Sequence, residues 1–188
     1  MIHLLRDARR WRLLSLTVLL LGAGWIWAAR VPSSQEDTGQ IPSPHPGFAA
    51  PDFTLETLGG ETTSLAAQRG KVVIVNLWAS WCGPCRAEMP AIQHLYEAQR
   101  EHGLTVLAIH STFQDSEDNA RAFAQELGLT FAIVLDRDGA VSRSYRLRAL
   151  PSTFIVDRKG MIRDVIYGGP LSEATLLSKI DRLLAEES

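Results

Sequence analysis

Polar and apolar positions divide the chain into three unlike stretches. The first centres on an uncharged run of 17 residues, Leu13 to Ala29, preceded by Arg6, Arg9, Arg10 and Arg12. A run apolar on all sides is not the one-sided helix that packs on a soluble core. Its length meets the lower end of the roughly 17–25 residues that span a bilayer. Trp25 and Trp27 suit the membrane–water boundary, and the arginines hold their end in the cytoplasm. Residues 1–30 are therefore expected to be a basic cytoplasmic end and a transmembrane helix. A cleaved leader is the alternative. Ile26 and Trp27 fit poorly before a cut near Ala28 and Ala29, although Gly22 and Gly24 could serve. No cysteine follows the run to carry a lipid. Both readings export the rest of the chain.

The second stretch, residues 31–49, is polar and rich in proline. Pro32, Pro42, Pro44, Pro46 and Pro51, in or just after it, are five of the nine prolines. It reads as an extended linker. The third, residues 50–188, alternates strand and helix patterns. Short strands are expected at Phe53–Leu55 and Thr62–Leu65, around a turn at Gly59-Gly60. Lys71 to Ala79 is continuously apolar, as for a strand buried on both faces. A helix follows from Pro84 to His102, stopped by Gly103, with Pro90 expected to kink it. Leu104–His110 is the next strand. Ser116–Leu127 is a helix with Ser116 or Asp118 as cap and Gly128 as stop. Ala132–Leu135, Ser152–Asp157 and Met161–Tyr167 are strands, the last two joined by a turn at Asp157–Gly160. Gly139–Tyr145 is a short helix. Ser172–Glu186 is amphipathic, with Leu176, Leu177, Ile180, Leu183 and Leu184 on one face. The alternation implies an α/β domain built from βαβ units, with a mixed central sheet flanked by helices.

Composition narrows the chemistry. The 188 residues are 46% hydrophobic with a net charge of -2, so a core is available and nothing in the charge calls for nucleic acid. The two cysteines lie three apart, as Cys82 and Cys85. An exported disulfide scaffold would scatter more of them. Cys82 falls where a buried strand gives way to a helix, and free N–H groups and the helix dipole stabilise an anion there. A thiol so placed ionises more readily, and the thiolate is the nucleophile. Gly83 permits the tight turn, and Pro84 suits a first helical turn. Dithiol exchange follows: Cys82 attacks a disulfide, and Cys85 resolves the mixed species. A zinc site lacks further ligands, since His94, His102 and His110 have no ligand-like spacing to a second cysteine pair. Haem attachment would need His where Arg86 stands. An inert disulfide remains open on the residues alone. No metal or cofactor is expected beyond a redox-active Cys82–Cys85 disulfide.

The stretch Trp81-Cys82-Gly83-Pro84-Cys85 resembles the thioredoxin superfamily. Ala50 to Leu55, Gly70 to Cys82, Cys85 to Pro90, Asp115 to Asp136 and Leu150 to Phe154 are similar to the exported, membrane-tethered TlpA/ResA/CcmG branch, with its redoxin (AhpC/TSA-like) domain. The resemblance covers about Ala50 to Leu184 and implies a thioredoxin-like fold. It implies that Pro151 is cis beside the cysteine pair and that Leu150 offers its backbone to an extended substrate. Trp81, Gly83 and Pro84 would complete the substrate rim. Where thioredoxin has a buried Asp on the preceding strand, this chain has Asn76. Glu88, one turn after Cys85, then becomes the expected proton-moving carboxylate, against the plainer reading of a solvated helix glutamate. The branch implies an exported oxidoreductase, a reductase in cytochrome c maturation or related thiol redox. Its partners would be an oxidised protein such as apocytochrome c and a membrane thiol-transfer electron donor. Two other classes remain: a peroxiredoxin-like peroxidase, though Ser80 and Trp81 precede Cys82 in place of the usual Thr and Pro pattern, and a binding module that works without the cysteines.

Overall fold

A computed structural model describes residues 41–169 and 171–186, together with Val18. The expected anchor, and the linker up to Gln40, lie outside the residues that define the fold. Among the described residues no helix is long and apolar enough to cross a membrane.

The fold is organised around one strand. All seven residues of β3, Val72–Trp78, are buried. Successive strand side chains point to opposite faces. Val72, Ile74 and Trp78 join an apolar cluster with Met89, Ile92 and Leu176. Val73, Val75 and Leu77 join another with Val141, Tyr145 and Phe154. A strand covered on both faces reads apolar throughout, which is the pattern of this segment. Each large aliphatic side chain so buried stabilises the fold by about 1.5–3 kcal/mol.

On one side, β3 pairs parallel with β4 (Leu104–His110), and β4 pairs parallel with β5 (Ala132–Leu135). On the other, β6 (Ser152–Val156) is antiparallel to β3, and β7 (Ile162–Tyr167) is antiparallel to β6. The order is β5-β4-β3-β6-β7. A separate hairpin, β1 (Thr54–Glu56) with β2 (Thr62–Ser64), precedes the sheet in sequence. The crossover from β3 to β4 is α1, Gly83–Gln99. It tightens into a 3-10 turn at Arg100–His102 and stops at Gly103, whose φ of 93° is one a side chain rarely adopts. Pro90 lies inside α1, in the turn after Arg86, whose carbonyl it cannot bond.

Three further helices follow: α2 (Glu117–Glu126), α3 (Ala140–Ser144) and α4 (Glu173–Ala185). Ser116 caps α2 by accepting the Asn119 N–H at 3.1 Å, and Ser172 caps α4 by accepting the Thr175 N–H at 3.2 Å. On α4, Leu176, Ile180 and Leu183 are buried, and Leu177 and Leu184 pack at the margin of the same cluster. Backbone bonds to the domain begin at Ser43, upstream of Ala50. Ser43 donates to Ala49 O at 3.0 Å, Gly47 donates to Ile162 O at 2.8 Å, and Ile162 donates to Phe48 O at 2.9 Å.

Candidate redox site

Four residues, Ala79 to Cys82, connect β3 to α1, and three hydrogen bonds hold them and the strand end before them. The Ser111 N–H donates to Trp78 O at 2.9 Å, and the Cys82 N–H donates to Ala79 O at 3.2 Å. The Ser80 N–H donates to Asp115 Oδ2 at 2.7 Å. Asp115 stands just before α2, and its other oxygen accepts the Ser116 N–H at 2.8 Å and the Asn119 amide at 2.9 Å. His110 Nε2 meets Asp115 Oδ2 at 3.0 Å, with both side chains essentially buried. Burial pushes the Asp115 carboxyl up, but bonds from Asn119, Ser80 and His110 outweigh it and hold it well below the usual range. Burial pushes His110 down against the pull of Asp115. Nothing in the local spacing of the sequence singled out this His110–Asp115–Ser80 network.

Cys82 caps α1 with extended backbone, and its sulfur accepts the Cys85 N–H at 3.2 Å. Gly83 and Pro84 occupy the first two helical positions, so the proline removes no helical donor. Cys82 and Cys85 are bonded to each other. Cys85 has no exposed surface, whereas Cys82 keeps 5% beside Trp81, which is 60% exposed. Of the two cysteines the less buried is therefore the one at the helix start, where an anion is stabilised. Trp78, at the end of β3, is fully buried against His110 and Phe123.

Glu88, one turn along α1, has no exposed surface. Its carboxylate accepts the Asn76 amide at 2.8 Å and the Leu171 N–H at 3.4 Å. Desolvation dominates these two bonds and raises its pKa from 4.5 to about 7. Asn76 also donates to Thr153 Oγ1 at 2.9 Å, so this single amide links the carboxylate to β6. The Leu150–Pro151 bond is cis, as the family resemblance implies. The Gly168 N–H donates to Pro151 O at 2.8 Å. A Cβ on Gly169 would lie 2.9 Å from Glu88 Oε2 and 3.0 Å from Pro151 Cγ. A side chain at Gly169 would thus crowd the carboxyl and the proline loop where they converge, and sequence reading did not pick this glycine out. Among the described residues neither the N–H nor the C=O of Leu150 has a hydrogen-bond partner.

The AhpC/TSA family profile matches residues 46–165. The chain belongs to the AhpC/TSA family. One relative, the thiol-disulfide oxidoreductase ResA of Geobacillus thermodenitrificans, is 39% identical over 122 residues, 65% of this chain and 69% of that protein. Another, the thiol:disulfide interchange protein HelX of Rhodobacter capsulatus, is 34% identical over 170 residues, 89% of this chain and 93% of that protein. Among solved structures, a thiol:disulfide interchange protein of the thioredoxin family from Chlorobium tepidum superposes with a TM-score of 0.67 at 26% identity. The match covers 75% of this chain and 98% of that one. This AhpC/TSA member is accordingly a thioredoxin-like thiol–disulfide oxidoreductase, and its cysteine pair lies where such chemistry needs it.

Proposed function

We propose that the chain is a membrane-tethered, extracytoplasmic reductase of protein disulfides, serving cytochrome c maturation or a related exported thiol pathway. The observation that carries the reading is the Cys82–Cys85 disulfide at the start of α1, one turn before a buried carboxyl poised near neutrality. In the reduced chain, the Cys82 thiolate attacks a substrate disulfide and displaces one substrate thiolate. Cys85, losing its proton, then attacks Cys82 Sγ. The Cys82–Cys85 bond forms and the second substrate thiolate leaves, so two electrons have passed to the substrate. Glu88 exchanges the proton of this second step, since a group with a pKa of about 7 both accepts and releases protons at ordinary pH. The sulfurs hold the electrons, and no bound cofactor takes part. Leu150 lends its backbone, unpaired among the described residues, to an extended substrate against cis-Pro151, with Trp81, Gly83 and Pro84 at the rim.

Residues 1–30 would hold the chain in the membrane, with residues 50–188 on the outer side. An exported reductase must be recharged from the cytoplasm, which calls for a membrane thiol-transfer donor; apocytochrome c is the substrate that the family resemblance suggests. Insulin reduction by the full chain in non-ionic detergent tests the chemistry. Cys82→Ser is expected to reduce insulin no faster than dithiothreitol alone, and undiminished activity would overturn the reading. Redox titration should place the couple near the roughly −270 mV of thioredoxin rather than the roughly −120 mV of a strong oxidant. Membership of the AhpC/TSA family keeps a thiol peroxidase in view. Peroxide consumption that outpaces insulin reduction would favour it.

A further inference from the structure

Next to Trp81, the residue before Cys82, lies a groove of about 460 Å³ whose apolar lining includes Trp81, Phe113 and Leu150. Arg143, Arg146 and Arg148 line it, and no Asp or Glu does. All three arginines are exposed. Arg143 donates to the Asp138 carbonyl, and none of the three has a carboxylate partner among the described residues. Three carboxylates of the adjoining segments have backbone or side-chain partners of their own. Asp136 is buried and accepts the Val141 and Ser142 N–H groups, Asp138 accepts the Ala140 N–H, and Asp115 is held by Ser80 and His110. Three arginines with no carboxylate partner among the described residues therefore line one groove on a chain whose net charge is -2.

The backbone at Arg146 is the second observation. The end of α3 closes with paired bonds: the Leu147 N–H donates to Ser142 O at 2.9 Å and the Arg146 N–H donates to Arg143 O at 3.0 Å. This closing motif puts its penultimate residue in the left-handed region, where glycine is the unstrained choice. Here it is arginine, with a φ of 48°, the one non-glycine residue with positive φ among those described. Backbone strain kept at a rim points to a role for the side chain outside the fold.

We propose that Arg143, Arg146 and Arg148 form a carboxylate-reading subsite, and that the preferred substrates are polypeptides with acidic residues flanking the reacting cysteine. The proposal rests on the oxidoreductase reading and adds its substrate class. Trp81 and Leu150 line the groove together with the arginines, so an extended segment whose disulfide reaches Cys82 passes close to the arginines within a few residues. Charge of this kind acts mainly on encounter rate and on the choice of partner.

Two synthetic peptides of equal length, each closed by one disulfide, provide the test, with Glu on both sides of one cysteine in the first and Gln in the second. Full-length chain in non-ionic detergent, reduced and freed of dithiothreitol, is mixed with each, and tryptophan fluorescence follows formation of Cys82–Cys85. The Glu peptide should react about tenfold faster at low salt, with the ratio approaching one near 0.5 M salt as screening takes over. Arg146→Gly should lower the ratio, and Arg143→Gln with Arg146→Gly and Arg148→Gln should bring it to about one. Arg146→Gly should also unfold at the same or a higher temperature, because glycine relieves the strained φ. A ratio within twofold of one in the unaltered chain overturns the proposal. So does a ratio that the triple variant leaves intact, or a marked loss of thermal stability in Arg146→Gly. If neither peptide oxidises the reduced chain, the oxidoreductase reading fails and the subsite with it.

Discussion

A carboxyl group with no exposed surface must either find enough donors to stay ionised or take up a proton. Glu88 has two donors, the Asn76 amide and the Leu171 N–H, and they do not offset its desolvation. The raised pKa ties folding to pH. The neutral acid suits the folded chain, so stability is full below the unfolded value near 4.5 and falls as pH rises through about 7. At pH 8 the ionised group should cost the fold roughly 3 kcal/mol relative to pH 4, after which the dependence levels. Glu88→Gln keeps the shape and removes the titration. Urea unfolding of both oxidised proteins at pH 5 and pH 8 would show it. The unaltered chain should lose stability relative to the glutamine variant over that interval, and parallel curves would mean that the carboxylate is solvated after all. Reduction of insulin by the variant should likewise lose its pH dependence near neutrality.

Among the elements, the connection from β3 to α1 is held less by its own residues than by the start of α2. Asp115 accepts the Ser80 N–H, pairs with His110 and binds Asn119, so one carboxylate joins the β3–α1 connection, β4 and α2 behind the reactive cysteine. Bonds to an ionised acceptor are worth about 1.5–3 kcal/mol each, and Asp115→Ala leaves the Ser80 donor unpaired; a loss of about 2–4 kcal/mol is expected at pH 7. Since this pKa is depressed, the contribution is present above the unfolded value and disappears as pH falls. The gap between the two proteins should therefore narrow below about pH 4. A gap under about 0.5 kcal/mol at neutral pH would show that the network is incidental. These bonds also show where sequence reading stops. Strand and helix limits were legible within a residue or three, because the apolar β3 run, the Ser116 cap and the Gly103 stop are local signals. Cys82 and Cys85 were legible for the same reason. Asn76 and Glu88 each stood out, but their bond did not, nor did the approach of Gly169 and Leu171, which fold back from more than eighty residues away. No periodicity within a segment encodes such a meeting.

Across the whole molecule, the sheet separates chemistry from support. Cys82, Cys85, Met89 and Ile92 belong to the apolar cluster on one face of β3. Leu107, Val75, Tyr145 and Phe154 belong to the cluster on the other, which contains neither cysteine. The antiparallel joining of β3 to β6 brings the Pro151 loop to the reactive end of the sheet, and this pairing was the part of the topology that the strand and helix pattern alone left open. The division makes a prediction about coupling. Leu107 is 1% exposed on β4, opposite Val75 of β3 and Ala132 of β5, and it lies on the supporting face. Leu107→Ala removes buried methyl groups and leaves a cavity that packed neighbours fill only in part, at a cost of about 2–5 kcal/mol. At about 2–4 °C for each kcal/mol in a domain of this size class, melting should fall by roughly 5–20 °C. Insulin reduction per folded molecule, measured well below that temperature, should stay within about twofold of the unaltered chain, because a cavity on this face touches neither the cysteine pair nor Glu88. A drop of tenfold or more with the protein still folded would mean that the two faces of β3 are not independent, and that the position of the disulfide depends on packing from below the sheet as much as on the loop and helix that carry it.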